Sequence, residues 1–393
     1  MSSDAQSLWR LPAVRHLIVV SLLGFGSFCL TLASLPTWAV HGGASQATAG
    51  LVTTVMLVTT VLTQALVPAV IARIGSGPAL AAGLLLLGAP APFYVLSSHL
   101  SLLLAVSAVR GTGFALLTVI GATLTSAVAP PKRHGEAVGL YGLAIAVPNL
   151  VGIPAGVALT QAGHFGTAAV LAACPVLAVP SALRAASRPD RVTAVTGDQH
   201  DADPLSHRRV LLVTLAPSFV LLLVTAAGGG LVTFLAIERP SGALATVALL
   251  VFGTTSALAR WRAGVLVDRA GPRLLLPGAI AAGVVGLVGV ALCLVAGRAY
   301  DVTLVVAAGV FGLGYGAVQN LTLVVAFARA GAGGEPTASA LWNAAFDFGT
   351  AVGAFGVGAI AATGLGLPWS FALSAAAMLA VLPVALRLRM PQR

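Results

Sequence analysis

Gly264-Val265-Leu266-Val267-Asp268-Arg269-Ala270-Gly271-Pro272-Arg273 joins two long apolar segments and carries an Asp, two Arg and two Gly at fixed offsets. A glycine at 264 lets neighbouring helices approach closely near a helix end. The Asp268 carboxylate suits the N-terminal amides of the next helix or an arginine. Gly271 and Pro272 make the turn, and Arg273 opens the next segment at the membrane surface. So charged a core is unusual in a chain of 393 residues that is 58% hydrophobic and 8% charged.

That composition sets the class. Soluble domains are roughly 45–50% apolar and about 25% charged, whereas this chain has a mean hydropathy of +1.00, which marks an integral membrane protein. At roughly 30 residues for each span with its loop, the length accommodates about twelve helices. The apolar runs place them near residues 17–40, 47–71, 78–96, 102–128, 137–160, 166–183, 210–237, 243–265, 274–295, 302–328, 338–362 and 369–386. The formal net charge of +10 reports topology, not nucleic acid. With the N-terminus inside, all but three of the 21 Lys and Arg fall on the cytoplasmic side, Arg260 and Arg262 among them. Arg239 and Arg298 fall outside and Arg110 lies within a span. This is the positive-inside bias, and it places both termini in the cytoplasm. The polar start, residues 1–15, lacks a cleavable signal pattern.

Residues 187–209 break the apolar pattern. Asp190, Asp198, Asp201 and Asp203 stand there among basic and histidine side chains, so the segment reads as a cytoplasmic linker. It separates a first half, 1–186, from a second, 210–393. His200 and His207 have Asp neighbours but read as part of a solvated linker, and no metal is expected. Cys29, Cys174 and Cys293 all lie in apolar spans with neither ligand spacing nor a disulfide framework.

The halves repeat each other. Gly111-Thr112-Gly113-Phe114 matches Gly312-Leu313-Gly314-Tyr315, Leu140-Tyr141 matches Leu341-Trp342, and Val151-Gly152 matches Val352-Gly353, in the same order and at one offset. The opening loop has its own counterpart in Ala72-Arg73-Ile74-Gly75, which lacks the Asp.

The pattern G-x-L-x-D-R-x-G-x-R, carried by Gly264, Asp268, Arg269, Gly271 and Arg273, resembles the signature loop of the major facilitator superfamily. The resemblance implies an all-α membrane protein with twelve transmembrane helices in two pseudo-symmetric six-helix bundles. It also implies alternating access around a midplane site, with this loop latching the inner gate. Val147-Pro148-Asn149-Leu150-Val151-Gly152-Ile153-Pro154-Ala155-Gly156 is similar to the G-P-x-x-G-G motif of drug/proton antiporters, with the Gly-Pro pair split by Ile153. Its small residues are expected to let span 8 pack tightly.

Asp347 is the sharpest single residue, because the other ten of the eleven carboxylates lie in loops or near span ends. A charged Asp at mid-span costs about 2.5–3.5 kcal/mol on insertion scales, so it is expected to face the bundle interior. It reads either as the proton-linked group of a transport cycle or as a packing carboxylate bonded to a neighbouring helix. Asn343, one turn earlier, is placed to share its face. Arg110 is the other buried charge, turned inward or snorkelling toward the outer surface. The R-x-x-Q-G-x-G pattern of related antiporters puts its arginine at Ser107 here and its Gln at Arg110. Gln64, Asn149, Gln319, Asn320 and Asn343 are polar residues expected to line a cavity or to bridge helices.

No phosphate-binding Gly-Lys loop, metal constellation or nucleophile–base pair is visible, so neither an ATP-driven pump nor an intramembrane enzyme is indicated, and no cofactor is expected. The resemblance implies a monomer in a bacterial plasma membrane that couples protons to the export of small organic molecules or drugs. Sugar or metabolite transport is the alternative. A non-transporting sensor of the same fold would be expected to carry a sizeable extramembrane domain.

Overall fold

The computed structural model describes residues 11–128, 134–185, 204–239, 243–331 and 334–388. Everything regular in it is helical. The first half contains α1 (Pro12–Leu32), α2 (Ser34–His41), α3 (Gln46–Gln64), α4 (Val67–Ile74), α5 (Ser76–Gly88), α6 (Leu100–Val128), α7 (His134–Gln161), α8 (Phe165–Leu171) and α9 (Val179–Ala185). The second contains α10 (Pro204–Glu238), α11 (Leu244–Ala270), α12 (Pro272–Ala296), α13 (Asp301–Ala330), α14 (Glu335–Ala361), α15 (Gly366–Ala380) and α16 (Leu382–Arg387). Among the described residues, twelve helical stretches are long and apolar enough to cross a membrane. Helix is the expected solution there, because it satisfies every backbone polar group without water. Most of the linker lies outside the described residues; its last residues open α10.

Prolines decide where spans are broken. The first span pauses at Ala33, three residues before Pro36, and divides into α1 and α2. The second, expected as one piece over 47–71, ends α3 at Gln64 and restarts as α4 with Pro68 in its first turn. Pro90 and Pro92 convert the end of the third span into a 3-10 turn, Ala91–Val95. Pro175 does the same at Cys174–Ala178 within the sixth. A proline lacks the N–H that would bond a carbonyl three or four residues back, so each break leaves carbonyls that need other donors. By contrast α7 runs unbroken through Pro148 and Pro154.

The repeated loops share one geometry. Gly271 (φ 72, ψ 158) ends α11 and caps α12, its N–H donating to the Val267 carbonyl at 2.9 Å. Gly75 (φ 82, ψ 161) ends α4 and caps α5, its N–H donating to Ile71 at 2.8 Å. Side chains rarely adopt that backbone conformation, so glycine recurs at both places.

The chain packs as two units. One comprises Met1–Leu32 and Val58–Ala202, the other Ala33–Leu57 and Asp203–Arg393. In the first, α1 lies along α7 and α5 along α6; in the second, α11 and α12 lie along α13, and α10 along α14. The glycine repeat explains two of these pairings. A Cβ on Gly113 would stand 2.5 Å from the Gly83 carbonyl oxygen, so α6 meets α5 backbone to backbone. One on Gly314 would stand 2.5 Å from the Ala279 oxygen and 2.7 Å from Gly283 Cα, so α13 meets α12 in the same way. Small residues at such crossings supply the close packing that holds helices together in lipid. Gly314→Val is therefore expected to lower the thermal unfolding midpoint sharply and reduce the yield of monodisperse protein. The same change at Gly278, which has open space around it, is expected to leave both near wild type. Thermal unfolding followed by size exclusion compares the two; equal behaviour would refute the assigned contact.

Candidate functional site

Arg110 sits in the middle of α6 and is fully buried. It does not snorkel. Its Nε donates to the Leu87 carbonyl at 2.9 Å. Nη1 donates to Thr31 Oγ1 at 2.9 Å and to the Tyr94 hydroxyl at 3.4 Å. Nη2 donates to the Ser27 carbonyl at 3.2 Å and to Ser27 Oγ at 2.9 Å. A guanidinium has five N–H groups, and here each has an acceptor. The Leu87 carbonyl lies in the last turn of α5, where terminal carbonyls need other donors. Ser27 Oγ donates its own O–H to the Ala172 carbonyl, next to the break before the 3-10 turn at Cys174–Ala178. The Tyr94 ring lies against the guanidinium at 5.3 Å, and its hydroxyl pairs with Ser107 Oγ at 2.9 Å. Arg110 thus clasps α1, α5, α6 and the 3-10 turn at Ala91–Val95. No carboxylate pairs with it among the described residues.

The second unit holds a different cluster. Tyr315, Gln319 and Thr322 fall at i, i+4 and i+7 on α13, one face of a helix. Thr322 Oγ1 accepts the indole N–H of Trp342 from α14 at 3.1 Å. Gln319 is buried, and its Oε1 accepts from Nη1 of Arg260 on α11 at 3.2 Å. The Arg260 guanidinium lies over the Trp342 ring at 5.9 Å. Asp347, twelve residues into α14, is buried, and the Tyr315 hydroxyl is within electrostatic reach of both Arg260 and Asp347. Tyr315 packs against the stacked pair Phe252 and Phe311 at 5.2 and 5.8 Å, ring centre to ring centre.

Arg260, counted on the inner side and contained in the expected span 243–265, lies within the apolar stretch Leu244–Val267. Because α11 continues to Ala270, it stands more than two turns from the helix end. Its signal was the one used for Arg110, an arginine inside an apolar run. Arg262, on the adjoining face, is exposed and lies over the Trp261 ring at 5.0 Å.

The other candidates disperse. Asn149 donates to the Ile145 carbonyl of its own helix at 2.9 Å. Asn343 is exposed and donates to Ser339 in its own helix at 2.8 Å. Gln64 bridges helices, its Nε2 reaching Thr118 Oγ1 of α6 at 3.5 Å. Asn320 lies against Gly264, where a Cβ would stand 3.3 Å from its amide nitrogen. In the opening loop, Asp268 and Arg269 complete the last turns of α11 with side chains outside the described residues, and Arg273 is exposed at the start of α12. Among the small residues of α7, Gly152 and Gly156 press on Cys29 and Leu30 of α1. Among the described residues, no group of His, Cys, Asp or Glu could hold a metal ion.

Twelve apolar spans among the described residues define a polytopic membrane protein. The chain belongs to the Major Facilitator Superfamily, which it matches over residues 17–334. No curated protein matches the sequence. Among solved structures, it is similar to a bacterial homologue of the human lysosomal transporter Spinster in an inward-facing, unoccupied conformation. The TM-score is 0.72 at 15% identity, covering 97% of this chain and 95% of that one. It is also similar to a variant of the nucleoside transporter NupG, with a TM-score of 0.71 at 12% identity, covering 96% and 99%. A D-xylose–proton symporter gives 0.71 at 14%, covering 95% and 96%. Identities this low speak to the fold alone.

Proposed function

We propose that this chain is a proton-coupled secondary transporter that exports small organic molecules by alternating access, with Asp347 as the carboxylate that carries the proton. The observation that carries the reading is Asp347 itself: a carboxylate buried at mid-span, close enough to act electrostatically on Tyr315. A group that must be neutral in one state and charged in another belongs at such a place. The proline- and glycine-rich α7, pressed on α1, supports the export branch. Flux into proteoliposomes under an imposed pH gradient, screened over candidate compounds, tests it; transport indifferent to the gradient would contradict it.

A second reading, co-transport of a proton with a sugar or metabolite, is favoured by Arg260. Exchange requires substrate and proton to exclude each other at Asp347. A cation in the same cluster instead allows both to be held together. The proteins of similar fold include a nucleoside transporter and a sugar–proton symporter.

The protein is taken to work as a monomer in a bacterial plasma membrane with both termini inside and halves 1–186 and 210–393 joined by a cytoplasmic linker. The basic asymmetry of the loops supports this and survives the transfer of Arg260 into a span. Cysteines placed at 195 or 200 are expected to react with impermeant thiol reagents only after the membrane is opened. Labelling from outside intact cells would reverse the topology.

A further inference from the structure

We propose that Arg260 is an anion-binding group of the transport site, and that the transported molecule carries a carboxylate or a phosphate. The inference rests on the transporter reading and on neither direction of transport.

The argument begins with what the buried cations of this chain already hold. Arg110 has an acceptor for every N–H, so it has nothing left to offer a ligand. Arg239, at the end of α10, faces Asp301 of α13 at 3.8 Å. Arg260 differs from both. One of its N–H groups meets Gln319 Oε1; the other four have no hydrogen-bond partner among the described residues, and no carboxylate there forms an ion pair with it. It is half-buried. Guanidinium groups in the membrane are expensive unless they are paired. Gln319 and the Trp342 face hold this one in place without neutralising it, and Trp342 is itself fixed by Thr322. A planar fork held on one side and open on the other is the geometry that receives a carboxylate or phosphate through two parallel hydrogen bonds.

Charge balance points the same way. Between residues 210 and 237, α10 has no titratable side chain, and it packs along α14. The titratable groups on the other helices are Arg260 and the exposed Arg262 of α11, Tyr315 and, near the helix end, Arg329 of α13, and Asp347 of α14; Tyr315 feels both Arg260 and Asp347. An empty site with ionised Asp347 and Arg260 is neutral. A site with a bound monoanion is neutral only if Asp347 is protonated. Neutral states cross an apolar barrier most readily, so the anion and the proton favour each other's binding. That coupling is reciprocal. Anion and proton then cross together, so an imposed proton gradient carries the anion with it, which is the co-transport reading.

The test uses the full-length protein in nanodiscs and matched probes: radiolabelled benzoate, competed by unlabelled benzoate, inorganic phosphate, benzyl alcohol and benzylamine. Benzoate is expected to bind and to be displaced by the two anions but not by the alcohol or the amine. Its affinity should rise as pH falls. Arg260→Gln is expected to weaken benzoate by about 10- to 100-fold, the size of a lost charge-assisted pair, and Arg260→Lys by less. No benzoate binding to the wild type, competition by the amine or the alcohol, or undiminished binding by Arg260→Gln would each overturn the inference. Because the wild-type competition needs no variant, a misfolded Arg260→Gln would not shield it. Asp347→Asn separates the two readings. It is expected to keep benzoate binding but lose the pH dependence, whereas retained pH dependence would sink the proton role of Asp347 and leave the anion site standing.

Discussion

Arg110→Ala is expected to destabilise the first unit by about 3–5 kcal/mol, the usual consequence of removing one side of a buried charged network. The substitution leaves the Leu87 and Ser27 carbonyls, Thr31 and Tyr94 without the donors they face. In a membrane-embedded core, water does not replace those donors easily. Losing a buried charge offsets part of the loss, which is why the figure stays below the sum of five bonds. Arg110→Lys is expected to recover little, since an ammonium on a shorter stem cannot reach acceptors spread over α1, α5 and the turn bearing Tyr94. Thermal unfolding in one detergent measures both variants. An Arg110→Ala protein as stable as wild type would mean that the clasp is incidental. Any loss of transport in these variants is expected to follow the loss of folded protein, because Arg110 has no N–H left for a substrate.

The two arginines show what the sequence made legible. Depth was readable for Arg110 because it stands within an apolar run, and the same argument applied to Arg260, inside the expected span 243–265, although the neighbouring Arg262 and the charged loop drew it into the count of inner-side residues. What an arginine touches was not readable in either case. Its partners come from elements distant in sequence: Ser27 and Tyr94 for one, Gln319 and Trp342 for the other. The prolines were similarly half-informative. Each announces a missing hydrogen bond, yet Pro90 and Pro175 end regular helix while Pro148 and Pro154 do not; the outcome depends on whether a neighbour such as Arg110 or Ser27 supplies a donor. The loop repeat was the most legible feature, because a glycine at positive φ is a local requirement that leaves a local mark at both Gly75 and Gly271. Polar residues were the least so. Asn149 and Asn343 satisfy themselves within their own helices, which periodicity cannot distinguish from facing a partner.

Asp347→Asn is expected to produce the other large effect, on function and not on folding. Asparagine keeps the size and hydrogen-bonding capacity of a protonated Asp, so α14 should pack as before, with thermal stability within about 1 kcal/mol of wild type. It cannot ionise, so it mimics one protonation state permanently and removes the link between substrate movement and the proton. A carrier without that link still equilibrates its substrate, because alternation needs no gradient.

The decisive measurement is made on proteoliposomes containing either protein, with a transported compound followed under an imposed pH gradient and again as counterflow without one. Wild type is expected to accumulate the compound above equilibrium with the gradient and to support counterflow. Asp347→Asn is expected to lose accumulation entirely while retaining counterflow. Uphill accumulation by Asp347→Asn with the pH dependence of the wild type would contradict the account and make Asp347 a packing residue.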